Sequence, residues 1–365
     1  MASSREGFTA DILASAARRM LVSPFVASIG VLALSLELAS FYRLGPYVHF
    51  QNLPRWWRVA GYVGSIPSFT LWVNEYITDE VAKNWINDSG WDWDEEIVLV
   101  TGGSSGIGSN IIQQLLAKNP QTTIIVLDHV PPKWKATQDS KIHFYQCDLS
   151  KSGAVEPTCA KMRKEVGHPT VPINNAGLSR GLTVMEGSIT DVDVMVRTNL
   201  IAPFLLIKEF LPHMVDINHG HIVNVSSISS LIPPARIADY AATKAGLGAL
   251  HESLQLELKN IHKAPKVRLS LVILSFVRAP LFKGKTNMSN FLFPLLHVDT
   301  VGKKIVEILY SGRGKTIYMP GIFRYISMLR AAPEWIFRIV REGTGKVGVD
   351  IKGRQQVDNE TGSLR

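Results

Sequence analysis

The chain has 365 residues, of which 46% are hydrophobic and 19% charged, so it is too apolar for a disordered protein. Its length suits one large domain with an appendage, or two domains. Two cysteines, Cys147 and Cys159, exclude a disulfide scaffold and favour a reducing compartment, and no metal site is implied. The net charge is +8, and residues 303–365 supply +6 of it. These basic residues interleave with apolar ones, which fits an anionic membrane surface and gives no indication of nucleic-acid binding.

The N-terminal part carries an apolar segment of nearly membrane-spanning length. Residues 20–36 are seventeen consecutive positions without a charge, and a shorter apolar run at 59–73 is broken by Pro67. Six of the eight tryptophans fall within residues 56–93, and indoles favour the headgroup layer of a bilayer. We therefore expect residues 1–93 to form a membrane-associating extension, with a transmembrane helix or hairpin as its anchor.

Two other interpretations of this segment stay open. A cleaved signal peptide is disfavoured because nineteen residues precede the apolar run and no small-x-small site follows it. A soluble apolar helix packed on the body of the protein is the other alternative. Three arginines flank each side of the run, so charge does not set its orientation.

From residue 94 onward, short β-branched runs alternate with longer segments of helical period, which predicts a parallel sheet with helices on both faces. The predicted strands are Glu96–Val100, Thr123–Leu127, Ile142–Gln146, Val171–Ile173, His221–Val225, Val267–Ile273 and Thr316–Met319. The predicted helices are Ile107–Lys118, Gly153–Glu165, Asp191–His213, Ala238–Asn260 and Thr300–Ser311. Every connection is then a β-α-β crossover, and Pro172 is a poor residue for the strand that contains it.

A glycine-rich turn directly follows the first strand and opens the first of these helices. It reads Thr101-Gly-Gly-Ser-Ser-Gly-Ile-Gly108, and such glycines let the backbone approach a pyrophosphate bound at the helix N-terminus. Asp128 ends the next strand, where a carboxylate accepts hydrogen bonds from the adenosine ribose. The pair predicts a Rossmann dinucleotide site. A carboxylate at this place also repels a 2′-phosphate, so NAD is favoured over NADP.

A candidate acid/base group lies further along the chain. Tyr240 and Lys244 stand four apart in a predicted helix and therefore share a face. A phenol with a pKa near 10 is a poor base, but a neighbouring ammonium and a nicotinamide cation favour its ionised form. Ser227 follows a buried strand thirteen residues before Tyr240, at the sheet edge where such folds place their chemistry.

Together these motifs resemble the short-chain dehydrogenase/reductase family over residues 94–320. They comprise the glycine turn, Asp128, Cys147-Asp148-Leu149, Asn174-Asn175-Ala176-Gly177, Asn199, Ser227 and Tyr240-Ala-Ala-Thr-Lys244. The resemblance implies that Tyr240 is the acid/base, that Ser227 holds the substrate oxygen, and that Lys244 lowers the phenol pKa and binds the nicotinamide ribose. It also implies that Asn199 anchors a water in the proton relay.

The cofactor-binding residues are implied in the same way. They are Gly102, Ser104, Ser105, Gly106, Ile107, Gly108, Asp128, Asp148, Leu149, Asn175, Ala176, Gly177, Tyr240, Lys244 and Val277. Asp148 would meet the adenine, and Asn175 and Gly177 would line the cleft. Ser226 has the wrong spacing for the substrate-holding hydroxyl, and Ser229 and Ser230 are second choices.

Within the family the chain is most similar to membrane-associated retinol dehydrogenases and to 17-beta-hydroxysteroid dehydrogenases of lipid droplets. That likeness implies a membrane-associated protein of the endoplasmic reticulum or lipid droplet, with the catalytic domain in the cytosol. One segment departs from the family: Leu274-Ser275 replaces its Pro-Gly, and Ala279 replaces its Thr. These replacements bring the contacts to the nicotinamide carboxamide into question.

Two C-terminal segments bear on the substrate. Residues 280–297 are rich in Leu, Phe and Met, and they predict either an apolar lid beside the cofactor or a core helix. Residues 321–342 include an amphipathic helical segment, with Glu334, Arg338 and Arg341 opposite Ile336, Ile339 and Val340. This pattern is typical of a helix lying in a membrane surface, although a solvated helix docked on the body remains an alternative. Residues 343–365 are polar and predict a flexible tail.

The expected function is hydride transfer between NAD(H) and a hydroxyl or carbonyl group of an apolar substrate such as a retinoid, sterol or long-chain alcohol. The expected partners are that substrate and membrane lipid, and a homodimer is compatible with the sequence. Two alternatives stand beside it. One is an NADPH-dependent ketoreductase of a lipid or polyketide intermediate, and the other is a catalytically silent scaffold at the membrane surface.

Overall fold

The computed structural model describes residues 5–23, 28, 35, 55–88, 90–132, 134–135, 140–279 and 288–344, with backbone alone for 55–65. The chain divides into two compact units: residues 10–85, and residues 1–9 together with 86–365. The boundary predicted at residue 93 differs from this division. Trp93 is 9% exposed and lies in the core of the larger unit, and Glu6 binds to that unit as well.

The smaller unit is built from two helices, α1 (Ala10–Leu21) and α2 (Arg55–Ala82). They are joined by an ion pair between Arg18 and Glu75 and by a hydrogen bond from the Ser68 hydroxyl to the Leu21 carbonyl. Among the helices that the structure describes, none combines the length and apolar composition needed to cross a bilayer. Most of the predicted span at 20–36 lies outside the described residues, so the membrane anchor stays a prediction.

The larger unit contains a seven-stranded parallel sheet. Its strands are β1 (Ile97–Thr101), β2 (Thr123–Asp128), β3 (Ile142–Gln146), β4 (Val171–Asn174), β5 (Gly220–Ser227), β6 (Val267–Leu274) and β9 (Thr316–Met319). They lie in the order β3-β2-β1-β4-β5-β6-β9. A separate two-stranded sheet pairs β7 (Val277–Arg278) with β8 (Leu296–His297). The strand order reverses between β1 and β4, which opens a crevice at the carboxyl ends of these two strands.

Helices cover both faces of the sheet. They are α3 (Gly106–Lys118), α4 (Ser152–Glu165), α5 (Ile189–Val196), α6 (Ala202–Asp216), α7 (Ala238–Leu256), α8 (Val298–Tyr310) and α9 (Glu334–Thr344). Shorter helical pieces are the π-helical turns Arg197–Ile201 and Glu257–Ile261 and the 3₁₀ helices Ile228–Ser230 and Gly321–Ala331.

Side-chain alternation along β1 explains the two apolar layers. Val98 and Val100 pack into the layer that includes Ile111 of α3 and Ile305 of α8. Leu99 points to the other face and joins the layer formed with α4 and α6. Because successive residues of a strand point to opposite faces, a continuous run of apolar residues is what a strand covered on both sides requires.

The predicted doubly wound parallel sheet is confirmed, and each predicted strand is present. The prediction that every connection contains a helix is wrong for β2 to β3, because the residues described between them form no helix. The predicted helix Asp191–His213 is divided by the π-helical turn at Arg197–Ile201. Pro172 lies opposite Leu99 inside β4, and pairing with β5 begins one residue later at Ile173, so the ladder to β5 forms past the proline.

Residues 5–9 form a strap on the larger unit that the sequence did not indicate. The Glu6 carboxylate accepts hydrogen bonds from the His297 amide at 2.9 Å and from the Thr300 hydroxyl at 2.6 Å. Arg5 forms an ion pair with Asp299, and the Phe8 ring lies 6.0 Å from that of Phe291. The strap therefore fastens the start of α8 and the segment that precedes it.

Candidate active site

The glycine turn connects β1 to α3 at the crevice between β1 and β4. Gly102 has φ +66°, a conformation that glycine adopts without strain, and a Cβ there would lie 3.1 Å from the Ala176 Cα. A Cβ on Gly108 would lie 2.2 Å from the Gly102 carbonyl oxygen. Glycine at both positions is thus required for the turn to pack against the helix and against the end of β4.

The N-terminus of α3 offers free backbone donors to this crevice. Ser105 is the N-cap residue in an extended conformation, and its side chain makes no capping hydrogen bond. The amides of the first turn, which begins with Gly106 and Ile107, have no acceptor within the helix. Unpaired donors at the positive end of a helix dipole fit the diphosphate of a dinucleotide.

Asp128 ends β2 beside the glycine turn and is 8% exposed. Its carboxylate accepts a 3.0 Å hydrogen bond from the Ser104 amide, and the His129 Nδ1 lies 3.0 Å away. Burial raises the pKa of Asp128, but the hydrogen bonds from His129 and Ser104 together lower it by more than burial raises it. The pKa therefore lies below its usual value. The carboxylate is therefore ionised at neutral pH and is ready to accept hydrogen bonds from ribose hydroxyls.

Two of the residues predicted to contact the cofactor, Leu149 and Val277, have side chains that are buried in the larger unit. Leu149 is 7% exposed and packs in the layer of α4 and α6, and Val277 is 7% exposed and pairs with Leu296 across the small sheet. Only their backbone groups are available to a ligand. Asp148 holds the turn after β3, where its Oδ1 accepts hydrogen bonds from the amide and the hydroxyl of Ser150.

A set of hydrogen bonds fixes the end of β4 to the glycine turn. The Thr101 hydroxyl accepts the amides of Asn175 at 3.0 Å and Ala176 at 2.9 Å, and it donates to the Ile173 carbonyl. The Asn175 side-chain amide donates to the Thr101 carbonyl at 2.9 Å. These hydrogen bonds fix Asn175 and Ala176 against the glycine turn, and Thr101 is a supporting residue that the sequence pattern did not indicate.

Gly177, Asn199 and Lys244 come together just beyond the end of β4. A Cβ on Gly177 would lie 3.4 Å from both the Asn199 Oδ1 and the Lys244 Nζ, so a larger residue would crowd both side chains. Asn199 is fully buried in the π-helical turn, where its side chain accepts the Leu178 amide and donates to the Leu178 carbonyl, each at 2.9 Å. The π-helical turn departs from the regular helix at this residue, as such turns often do at functional sites.

Tyr240, Ser227 and Lys244 come together at the carboxyl end of β5, as the sequence predicted. Tyr240 and Ser227 are hydrogen-bonded, and the Lys244 Nζ lies 5.7 Å from the centroid of the Tyr240 ring. Burial raises the pKa of Tyr240, while the hydrogen bond with Ser227 lowers it. Burial lowers the pKa of Lys244 to about 8. In the protein alone the phenol is thus protonated at neutral pH, and added positive charge is needed to ionise it.

The neighbouring serines have structural contacts instead. The Ser226 hydroxyl donates to the Lys244 carbonyl at 3.2 Å, and Ser230 donates to the Ser227 carbonyl at 2.7 Å. The Ser229 amide donates to the Ser227 Oγ at 3.2 Å. Ser227 is therefore the serine that the contacts connect to Tyr240.

A cleft of about 360 Å³ opens beside the N-terminus of α3. Its lining includes Gly106, Ser109, Arg278, Ala279 and Asp299. Arg278 and Ala279 belong to the segment that departs from the family pattern, and Arg278 brings a cation to the lining of this cleft. The sequence patterns did not indicate Arg278 or His129 as site residues, although His129 directly follows Asp128 at the end of β2.

An open parallel sheet that carries a glycine turn, a carboxylate after β2 and a Ser-Tyr-Lys set at one edge is the arrangement of a dinucleotide-dependent oxidoreductase. Residues 96–290 match the family described as short chain dehydrogenase. The chain belongs to this family, whose fold binds a nicotinamide cofactor.

Relatives extend the similarity beyond the motifs. "Dehydrogenase RED2" of Cochliobolus heterostrophus is 36% identical over 200 residues, which are 55% of this chain and 75% of that protein. "Epidermal retinol dehydrogenase 2" of Mus musculus is 28% identical over 244 residues, which are 65% of this chain and 77% of that protein. The chain is thus a short-chain oxidoreductase close to retinol dehydrogenases, as the sequence analysis expected.

A solved structure supports the fold. The 4-hydroxyisoleucine dehydrogenase complexed with NADH superimposes with a TM-score of 0.54 at 23% identity, over 62% of this chain and 98% of that one.

Proposed function

We propose that this protein is an NAD-linked dehydrogenase that interconverts a hydroxyl and a carbonyl group on an apolar substrate at a membrane surface. The observation that carries the proposal is the Ser227–Tyr240 hydrogen bond beside Lys244, at the sheet edge that also holds Asp128. Bound NAD would supply the hydride acceptor for oxidation. The residues of the chain then have to hold the substrate oxygen and accept its proton.

Tyr240 is the residue proposed to accept the hydroxyl proton. Its phenol is within hydrogen-bonding contact of Ser227, whose hydroxyl can donate to the substrate oxygen throughout the reaction. The Lys244 ammonium lies near enough to stabilise the phenolate electrostatically, and its burial strengthens that effect. Reversal of the same proton transfer would serve carbonyl reduction.

The preference for NAD over NADP rests on Asp128. An ionised carboxylate at the ribose position attracts hydroxyl donors and repels a 2′-phosphate. The glycine turn from Thr101 to Gly108 contains no Lys or Arg that would offset this repulsion.

The proposed substrate class rests on the described residues of the segment predicted as a lid, which leads into β8. In the described part of the segment predicted as a lid, Phe291 is 39% exposed and Leu292 is 47% exposed. The Phe293 ring lies 5.2 Å from that of Phe323 in the 3₁₀ helix Gly321–Ala331. Aromatic and aliphatic side chains in this segment favour an apolar alcohol, such as a retinoid, sterol or long-chain alcohol. Residues 280–287 of the predicted lid lie outside the described residues.

Membrane association is proposed from α9. Trp335 is 65% exposed and Ile339 is 60% exposed, one helical turn apart, and the helix also carries Arg338 and Arg341. Exposed apolar residues combined with basic residues are typical of helices that lie in a lipid interface. A mouse relative named as a retinol dehydrogenase agrees with a lipid-soluble substrate. We place the protein at the endoplasmic reticulum or lipid droplet, with the catalytic unit in the cytosol.

An NADPH-dependent ketoreductase is the second candidate, and one observation favours it. His129 pairs with the Asp128 carboxylate, and this hydrogen bond raises the histidine pKa against the effect of burial. A protonated His129 would offset the negative charge that disfavours a 2′-phosphate.

The test is a spectrophotometric screen of retinol, sterols and long-chain alcohols with NAD and, separately, NADP in detergent micelles. Reduction of NAD with an apolar alcohol, absent in Tyr240→Phe, supports the proposal. Turnover of the corresponding ketones with NADPH, together with much tighter NADPH binding than NADH binding, would establish the second candidate instead.

A further inference from the structure

The 3₁₀ helix Gly321–Ala331 follows the last strand and has distinct faces. With three residues per turn, Phe323, Ile326 and Leu329 form one row, and Phe323 is 5% exposed. Tyr325 and Met328 form a second row and are 56% and 68% exposed. The helix therefore packs on the body through Phe323 and leaves the row of Tyr325 and Met328 exposed.

Arg330 lies on the third row and reaches back to a distant turn of the chain. Its guanidinium donates from Nε to the Leu231 carbonyl at 2.9 Å and from Nη2 to the Ser230 carbonyl at 3.3 Å. Within the described residues no carboxylate is paired with this guanidinium, so the two backbone carbonyls are its polar partners there. A planar guanidinium that bridges consecutive carbonyls fixes the orientation of both peptide groups.

The turn that Arg330 holds is the one that orients Ser227. The Ser230 hydroxyl donates to the Ser227 carbonyl at 2.7 Å, and the Ser229 amide donates to the Ser227 Oγ at 3.2 Å. The direction of the Ser227 hydroxyl is thus set partly by the backbone of residues 229 and 230. Displacement of the Ser230 peptide would alter both contacts together.

We propose that Arg330 is a positioning residue that fixes the Ser227 hydroxyl through the 227–231 turn. It thereby connects the geometry of the active site to the 3₁₀ helix Gly321–Ala331. The inference rests on the proposed roles of Ser227 and Tyr240. Arg330 itself contacts neither the reacting groups nor the cofactor positions. It acts on the reaction through the backbone to which Ser227 belongs.

The experiment compares wild type, Arg330→Ala and Arg330→Lys, with Arg324→Ala as the matched control from the same row of the same helix. Five quantities are measured: kcat and KM against pH, the cofactor Kd, the melting temperature, and the titration of the Tyr240 phenol. The phenol titration is the absorbance difference between each protein and its Tyr240→Phe counterpart, with NADH bound. It requires no substrate.

We expect Arg330→Ala to lower kcat by about tenfold, the loss that corresponds to about one hydrogen bond of orientation. The acidic limb of the kcat/KM profile and the phenol titration should both move to higher pH, because a misdirected Ser227 hydroxyl no longer stabilises the phenolate. The cofactor Kd and the melting temperature should stay unchanged. Arg330→Lys, which retains one donor group in reach, should recover part of the loss, and Arg324→Ala should match wild type.

An unchanged phenol titration and pH profile in Arg330→Ala would overturn the inference, as would an equal effect in Arg324→Ala. If Arg330→Ala does not fold, Arg330→Lys is judged by the same criteria. If no alcohol is oxidised even by wild type while the phenol titration still shifts, the proposed function fails and the positioning role stands.

Discussion

The Lys244 ammonium donates a 2.8 Å hydrogen bond to the Val225 carbonyl, which joins the helix that carries Tyr240 to the strand that ends in Ser227. Lys244 is only 4% exposed, and burial lowers its pKa to about 8. The ammonium is therefore held in place while remaining close to both Gly177 and Tyr240.

Replacement of this lysine should affect both binding and catalysis. In Lys244→Met we expect kcat/KM to fall by at least about a hundredfold, because the phenolate loses its nearby cation. Cofactor affinity should fall as well, which fluorescence titration with NADH would measure. The exposed Lys259→Met on the segment that follows the same helix is the control. Retained turnover in Lys244→Met would contradict the role assigned to the ammonium.

Ser227→Ala should change the pH dependence of kcat/KM without changing cofactor binding. The hydrogen bond with Ser227 lowers the pKa of Tyr240, so its removal raises that pKa. Oxidation requires the deprotonated phenol, and the acidic limb of kcat/KM should therefore move to higher pH while NADH affinity stays constant. Steady-state kinetics across the pH range measure this shift. The exposed Ser253→Ala serves as control, and a limb that does not move in Ser227→Ala would argue against the contact.

Asp128→Asn should relax the discrimination against NADP. Loss of the negative charge removes the repulsion of a 2′-phosphate, and we expect the ratio of NADP affinity to NAD affinity to rise by about ten- to a hundredfold, a range that corresponds to about 1.4–2.7 kcal/mol. Equilibrium binding of the two cofactors measures the ratio directly. If the ratio were the same in wild type and variant, Asp128 would have no part in the selection.

We expect the ratio of NADP affinity to NAD affinity to depend on pH, because His129 pairs with Asp128. The hydrogen bond with Asp128 raises the pKa of His129, so the imidazolium forms on acidification and offsets the carboxylate. Relative NADP affinity should accordingly be higher at about pH 6 than at about pH 8, on either side of the ordinary histidine pKa. His129→Gln should abolish this dependence, and its persistence in that variant would assign it to another group.

We expect the protein to lose stability in acid because two of its histidines, His221 and His251, are buried. Burial lowers the pKa of His221 to about 3 and that of His251 to about 4, whereas an unfolded histidine has a pKa near 6.5. Their neutral forms contribute stability that is complete above about pH 6.5 and declines as the pH falls toward the native values. Each histidine adds a slope of about 1.4 kcal/mol per pH unit to the free energy of unfolding.

Urea unfolding at several pH values between about 7 and 5 measures this slope. His251→Leu should reduce the slope by the contribution of one histidine, about 1.4 kcal/mol per pH unit. Replacement of the exposed His262 by Gln should leave the slope unchanged. His219 acts in the opposite direction, because its hydrogen bond with Glu96 raises its pKa. That contribution is present below about pH 6.5 and is lost as the pH rises through the native value. A slope equal in wild type and His251→Leu would show that His251 is protonated in the native state.

The exposed apolar pair on α9 should contribute to membrane binding. We expect Trp335→Ser and Ile339→Ser each to weaken co-sedimentation with phosphatidylcholine–phosphatidylserine vesicles by about tenfold, in line with the transfer free energy of one apolar side chain. Ile261→Ser removes an equally exposed apolar residue elsewhere on the larger unit and is the control. Equal binding by all three variants would exclude α9 from the membrane contact.

Local patterns predicted most of the sheet and the positions of the site residues. The β-branched runs marked each strand, and the spacing from the glycine turn to Asp128, and from Ser227 to Tyr240, placed these residues at one edge of a parallel sheet. This edge follows from topology, because all the carboxyl ends of a parallel sheet lie on the same side. The expectation that every connection contains a helix was wrong for β2 to β3, where the residues that the structure describes form no helix.

The sequence by itself determined the class of fold, the family and the residues expected to carry the chemistry, because these depend on the order and spacing of residues along the chain. Only the tertiary structure decided that Glu6 fastens the start of α8 and that Arg330 holds the turn after Ser227. Arg330 and Ser230 are 100 residues apart in the chain. No periodicity or local propensity records such a contact, because it forms only when separate elements have packed against the same edge of the sheet.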